Sequence, residues 1–172
     1  MVDKRHWPKL NLETSLLGFG CMRFPTKPDM SIDEEKAEAM IDKAYANGVN
    51  YYDTAYLYHN GQSEVAVGKF LSKYPRESYY IATKLPLMFF TPNDTIERAK
   101  QIFEEQLKKL NKDYIDFYLL HGLNKMAFET VKRLDLINFC ENLRKEGRIR
   151  YLGFSFHDSY EVFEEILRYH DW

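Results

Sequence analysis

The sequence predicts an α/β fold built from repeated strand–helix units, and three observations predict it. Short apolar runs recur at residues 16–22, 49–52, 79–85, 114–120 and 149–156, their starts about 30 to 35 residues apart. The longer segments between them repeat apolar residues with the period of a helix. The runs themselves are nearly continuous in apolar side chains, as Ile115, Phe117, Leu119 and Leu120 show beside Tyr114 and Tyr118, which suits strands covered by helices. Strands alternating with helices at this spacing call for parallel pairing with right-handed crossovers.

The first helix is marked by Ala37, Met40, Ile41, Ala44 and Gly48, one face of a helical surface. Ser31-Ile32-Asp33-Glu34 ahead of it reads as a capping box, and Gly48 stands where a glycine ends a helix. The second helix is expected from Ser63 to about Lys73. The third opens at Thr91-Pro92, since proline is tolerated at the first helical position, and its stripe is Ile96, Ala99, Phe103, Leu107 and Leu110. The fourth shows Leu136, Cys140 and Leu143 and stops at Gly147; the fifth runs from near Ser159 to the end of the chain. Lys9 to Thr14 is expected as one strand of a small hairpin. Two architectures satisfy this pattern, a doubly wound open sheet and part of a (β/α)₈ barrel. A dinucleotide-binding doubly wound sheet puts G-x-G-x-x-G after its first strand. Gly18-Phe19-Gly20-Cys21 has no third glycine and opens no helix, which argues against that site.

Composition excludes several classes. Twenty-four basic and 26 acidic residues leave a net charge of -2 over 172 residues, so no basic footprint for nucleic acid is present. No apolar run approaches the ~20 residues of a membrane span, and Met1 to Pro8 has no apolar core of a signal peptide. Cys21 and Cys140 make no C-x-x-C and no metal-ligand spacing. They fit a reducing compartment, so a cytoplasmic protein without a metal site is expected.

Three ionisable residues stand at or just after the carboxyl ends of successive runs: Asp53, Lys84 and His121. In a β/α barrel that end is the face where active sites form. Tyr58 follows five residues after Asp53. Each has a plain reading as well. Asp53 can cap a turn, Lys84 can reach to solvent, His121 can be a satisfied core histidine, and Tyr58 is one of 13 tyrosines. Four such explanations would have to hold together on consecutive units and on one face, so a shared site is the better reading.

Tyr52-Asp53-Thr54-Ala55-x-x-Tyr58 with Ser63-Glu64, then Ile81-Ala82-Thr83-Lys84, then Tyr114 to His121, resembles the aldo-keto reductase family in order, spacing and strand context. Leu17 to Arg23 resembles that family's first barrel strand, and Gly147 to Ser155 its fifth. The resemblance implies a (β/α)₈ barrel, present here as roughly its first five units. It implies hydride transfer between NADPH (or NADH) and a small aldehyde or ketone. Tyr58 is then the general acid that protonates the carbonyl oxygen. Lys84 supplies a cation that favours the phenolate, Asp53 holds Lys84, and His121 donates a hydrogen bond to the developing oxyanion. The cofactor falls to Gly20, Cys21, Met22, Asp53 and Ser155. Many members place Asn after that serine; Phe156-His157 stands here instead, which puts the grip on the nicotinamide amide in question.

Gly20 to Pro25 also resembles a bacterial subgroup that can carry a C-terminal iron–sulfur module. A 4Fe–4S cluster is expected only in a longer parent chain, because these 172 residues hold no cluster-binding cysteines. The resemblance implies three more strand–helix units beyond Trp172. Without them, weak cofactor binding, little activity and self-association through open sheet edges are expected. The alternatives are a non-catalytic binding module and a half-barrel that works only when assembled. Leu85 to Phe90 reads equally as pocket lining or as packing.

Overall fold

The computed structural model describes residues 1–172. Its first element is a hairpin of β1 (Lys4–Trp7) and β2 (Leu12–Ser15), paired antiparallel. Then come β3 (Phe19–Gly20), α1 (Glu34–Ala46), β4 (Tyr51–Asp53), α2 (Gln62–Leu71) and β5 (Tyr80–Leu85). They are followed by α3 (Ile96–Leu110), β6 (Ile115–Leu123), α4 (Lys125–Arg133), α5 (Leu136–Lys145), β7 (Ile149–Phe156) and α6 (Tyr160–Tyr169). The larger sheet takes its five strands in chain order, β3-β4-β5-β6-β7. A doubly wound sheet reverses its order at a switch point; this one never does, so the strands follow the order of a β/α barrel. No helix is long and apolar enough to cross a membrane.

The chain divides into two compact units, Met1–Ala82 with Lys109–Asn111 and Thr83–Lys108 with Lys112–Trp172. In the first, β3 pairs β4 and β4 pairs the start of β5, all parallel, with Gly20 opposite Asp53 and Asp53 opposite Ala82. Its core gathers Ile41, Tyr52, Phe70, Leu71 and Ile81, all fully buried. The hairpin ties to the amino end of β4: the Ser15 amide donates to Asn50 Oδ1 at 2.7 Å, and Asn50 Nδ2 donates to the Glu13 carbonyl at 2.9 Å. In the second unit β6 and β7 pair in parallel, and Ile102, Phe103, Tyr118, Phe128 and Leu136 are buried.

Several elements differ from the sequence expectation, each for a local reason. The first barrel strand is two residues long. Leu16 and Leu17 are exposed in a turn where the Leu16 amide donates to the Asp3 carbonyl and Ser15 Oγ donates to the Leu17 carbonyl. Asp33, and not Ser31, caps α1; its carboxylate accepts the Lys36 amide, while Ser31 is captured by Asp29 at 2.6 Å. Pro92 lies in a turn ahead of α3, because Asp94 Oδ2 takes both the amide and the hydroxyl of Thr91 and delays the helix to Ile96. The α4 helix is an addition, capped by Asn124, whose Oδ1 accepts the Ala127 amide at 2.8 Å. Gly48 and Gly147 end α1 and α5 at φ of 90° and 74°, a backbone that favours glycine.

Gly68 on α2 is buried against the backbone of Leu110 so closely that a Cβ would collide with the Leu110 carbonyl. Replacing Gly68 with Ala is therefore expected to destabilise the chain by about 1–3 kcal/mol through overpacking. A urea midpoint unchanged by that substitution would show that the two backbones separate freely.

Candidate active site

In the first unit a chain of buried hydroxyls fixes the strand ends. Asp53 is the last residue of β4, and its carbonyl accepts the Cys21 amide at 2.8 Å. Ser63, at the start of α2, donates its hydroxyl proton to the Cys21 carbonyl at 2.8 Å. That proton being used, the 2.8 Å bond between Thr54 Oγ1 and Ser63 Oγ has Thr54 as donor. The Thr54 amide in turn donates to the Ala82 carbonyl of β5. The ends of β3, β4 and α2 are thus held by one connected set of fully satisfied bonds, which makes it rigid.

Of the residues expected at the cofactor, Gly20 and Met22 are exposed, whereas the Cys21 side chain is wholly buried. Cys21 ties Asp53 to Ser63 through its backbone. Tyr58 follows the Thr54–Leu57 turn, is partly exposed, and donates its amide to the Ala55 carbonyl at 3.1 Å. Beneath this segment Glu64 is fully buried, 3.6 Å from Lys109 Nζ, and that ammonium lies 3.7 Å from the centre of the Tyr56 ring. The cation–π contact and the ion pair share one ammonium, so they hold Tyr56 and α2 together.

In the second unit Lys84 is the penultimate residue of β5 and is buried. Gln106 of α3 fixes it: Nε2 donates to the Lys84 carbonyl at 3.0 Å and to Thr83 Oγ1 at 3.2 Å, while Oε1 accepts from the Tyr118 hydroxyl at 2.8 Å. The sequence pattern missed Gln106. Its only signal is a polar residue beside Phe103, Leu107 and Leu110 on the buried face of α3.

His121 lies within β6 rather than at its end, because the strand continues through an irregularity between Leu120 and Leu123. Gly122 there has φ of 67°. The expected pairing is replaced by a side chain: the Gly122 amide donates to Ser155 Oγ of β7 at 2.7 Å. The His157 amide donating to the Leu123 carbonyl at 2.9 Å closes the irregularity. Such a bulge re-aims the side chains around it. Burial, the Lys84 ammonium and His157 together push the His121 imidazole down to about 4, so it is neutral at pH 7. A neutral imidazole offers one N–H to an oxygen and withholds a proton. Leu87, Met88, Phe90, Met126 and His157 line an open cleft with His121. Leu85 is packed and Met88 exposed, so the Leu85–Phe90 segment divides between packing and lining.

A strand order that never reverses, with ionisable groups held at the carboxyl ends of the strands, defines the β/α-barrel class. The chain belongs to the aldo/keto reductase family, whose model matches residues 16–172. An uncharacterised oxidoreductase of Bacillus subtilis (strain 168) is 32% identical over 164 residues, covering 90% of this chain and 49% of that protein. An aldo-keto reductase from Bacillus halodurans in its holo form is 34% identical with a TM-score of 0.78, over 98% of this chain and 54% of that one. An aldo-keto reductase from Klebsiella pneumoniae in complex with NADPH shares the fold at 22% identity and a TM-score of 0.70, over 98% of this chain and 54% of that one. The chain spans about half the length of the relatives it matches.

Two expectations follow. The folded chain leaves His121 neutral where the unfolded chain would take a proton. Its contribution to stability is therefore complete above about pH 6.5 and is lost as pH falls toward about 4. His121→Asn should flatten the fall of the urea midpoint over that window; an equally steep fall in the variant would place the shift elsewhere. Ser155→Ala should cost about 1 kcal/mol by removing the partner of the half-buried Gly122 amide. Ser155→Thr, which keeps the acceptor, should recover most of it in the same unfolding experiment.

Proposed function

We propose that residues 1–172 supply the first five β/α units of an aldo-keto reductase barrel. In it an aldehyde or ketone is reduced with NADPH (or NADH), and Tyr58 is the general acid. The observation that supports this best is the neutral His121 beside the buried Lys84 at an apolar cleft: an uncharged hydrogen-bond donor placed near a cation suits a carbonyl oxygen that gains negative charge.

The cofactor's residues are compatible with such a group. A Cβ at Gly20 would meet nothing within 4 Å, so that strand end leaves room for a flat ring against the backbone. Ser155 Oγ accepts from Gly122 and still has its own proton to donate to a carboxamide oxygen. Gly20, Met22, Asp53 and Ser155 would hold the cofactor, with Cys21 acting through its backbone. The nicotinamide, when bound, supplies the hydride that reduces the carbonyl carbon. His121 donates a hydrogen bond to the carbonyl oxygen and orients it. Tyr58 gives that oxygen its phenolic proton: the alcohol O–H forms as the tyrosine O–H breaks. The Lys84 ammonium favours the phenolate left behind, Asp53 offsets the charge of Lys84, and the phenolate recovers its proton from water. The apolar lining of Leu87, Met88 and Phe90 fits an apolar carbonyl substrate.

The test is NADPH binding, followed by fluorescence, together with carbonyl reduction by the chain and by Tyr58→Phe. The variant is expected to keep cofactor affinity and to lose turnover by about 10²–10⁴-fold, the usual scale of a positioned acid. Turnover equal in both would remove Tyr58 from the chemistry. Binding without turnover in either would favour a non-catalytic binding module, and neither activity would assign the chemistry to a longer chain.

A further inference from the structure

His59 follows Tyr58 directly, and nothing in the reaction above uses it. Its backbone is left-handed, with φ 52° and ψ 46°, and Asn60 (φ 54°) and Gly61 (φ 84°) continue in that conformation. Two non-glycine residues in succession hold a conformation that L side chains seldom adopt, and such a turn persists only where its surroundings over-determine it. The His59 side chain supplies the determining contact. Its Nε2 accepts the backbone amide of Phe24 at 2.9 Å, and its ring lies on the Phe24 ring with centroids 5.7 Å apart. The Met22 backbone lies close enough to the same imidazole to oppose the lowering of its pKa. Phe24 is itself buried against Phe70 and Phe19. One imidazole therefore joins the turn after Tyr58 to the segment after β3 that carries Met22.

We propose that His59 is a positioning residue, which in its neutral form locks the Tyr58 turn to the Met22–Phe24 segment. Resting on the roles given above to Tyr58 and Met22, this lock sets the proton donor and a cofactor-contacting segment as one body. Only an unprotonated Nε2 can accept an amide proton. Protonation removes the Phe24 bond, keeps the donor side of the ring, and frees the turn. Burial lowers the His59 pKa, while the nearby Met22 backbone opposes the shift. The locked form thus dominates at neutral pH and is lost on acidification below about pH 6.5. The Lys109 ammonium, paired with Glu64, lies against Gly61 of the turn. The Phe24 ring and the Met22 backbone meet the imidazole, and Lys27 and Glu34 line the cleft beside Asn60, Gly61 and Gln62.

NMR of the 172-residue chain tests the lock without any need for turnover. In the wild type, the Tyr58 ring signals should shift with the same midpoint as the His59 ring, and Phe24 amide exchange should quicken across that transition. His59→Ala should exchange the Phe24 amide about tenfold faster at pH 7, the scale of one lost hydrogen bond. His59→Gln, whose carboxamide oxygen can accept the same amide, should recover most of that protection and abolish the acid transition at Tyr58. Tyr58 signals indifferent to His59 protonation would overturn the proposal, and they decide it even if His59→Ala does not fold. Loss of the reductase assay with the NMR coupling intact would instead count against the reductase reading alone.

Discussion

Ser63 has one hydroxyl proton, and the first unit depends on where it goes. Given to the Cys21 carbonyl, it obliges Thr54 to donate to Ser63, and Thr54 then stands with its amide on Ala82. Every polar group in this set is buried and satisfied, so each bond constrains the next. The direction of donation is forced by counting protons and needs no energy comparison. An alanine at Ser63 would remove both the bond to the Cys21 carbonyl and the bond to Thr54 in one substitution. Asp53 is placed by this set through its backbone carbonyl.

The second unit solves the same problem with different means. Gln106 serves three groups at once, and each is on a residue that must not move: the Lys84 carbonyl, Thr83 and Tyr118. A lysine is seldom buried, and a backbone pinned on its helix side helps to keep Lys84 there. At β6 the sheet gives up regular pairing around Gly122, and Ser155 supplies the missing acceptor. A regular ladder would have fixed His121 by period alone; a bulge lets two strands aim it. That freedom costs one orphaned amide unless a hydroxyl stands opposite, and the residue at that place on β7 is a serine.

The strand spacing, the glycine stops at Gly48 and Gly147, and the placing of Asp53, Lys84 and His121 near strand ends were legible in the sequence because they follow from periodicity and from residues with restricted backbones. What was not legible depends on competition between neighbours. Ser31 reads as a cap until Asp29 takes its hydroxyl; Pro92 reads as a helix start until Asp94 takes both groups of Thr91. Leu16 and Leu17 read as strand because they are apolar, yet Asp3 and Ser15 claim their backbone first. The family likeness points to Cys21 as a cofactor contact, and the likeness gives no hint that its side chain is wholly buried. His59 carries no pattern at all and Gln106 only that of a polar residue on a buried helix face, since their meaning lies in partners 35 and 22 residues away.

Charge sets what His121 can do in the second unit. Near His121 the neighbours are a buried ammonium, a second imidazole and apolar side chains, and each of them opposes a positive charge on the ring. An imidazole in that setting cannot serve as the acid at neutral pH, since it holds no spare proton. A donor that remains uncharged can still bind an oxygen whose negative charge grows, and it does so without repelling the nearby cation. The reaction proposed above therefore takes its proton from a group that is neutral when protonated, as a phenol is. In the proposed reaction that phenol is Tyr58, and the electrostatics around His121 are what make an uncharged donor there compatible with a separate acid.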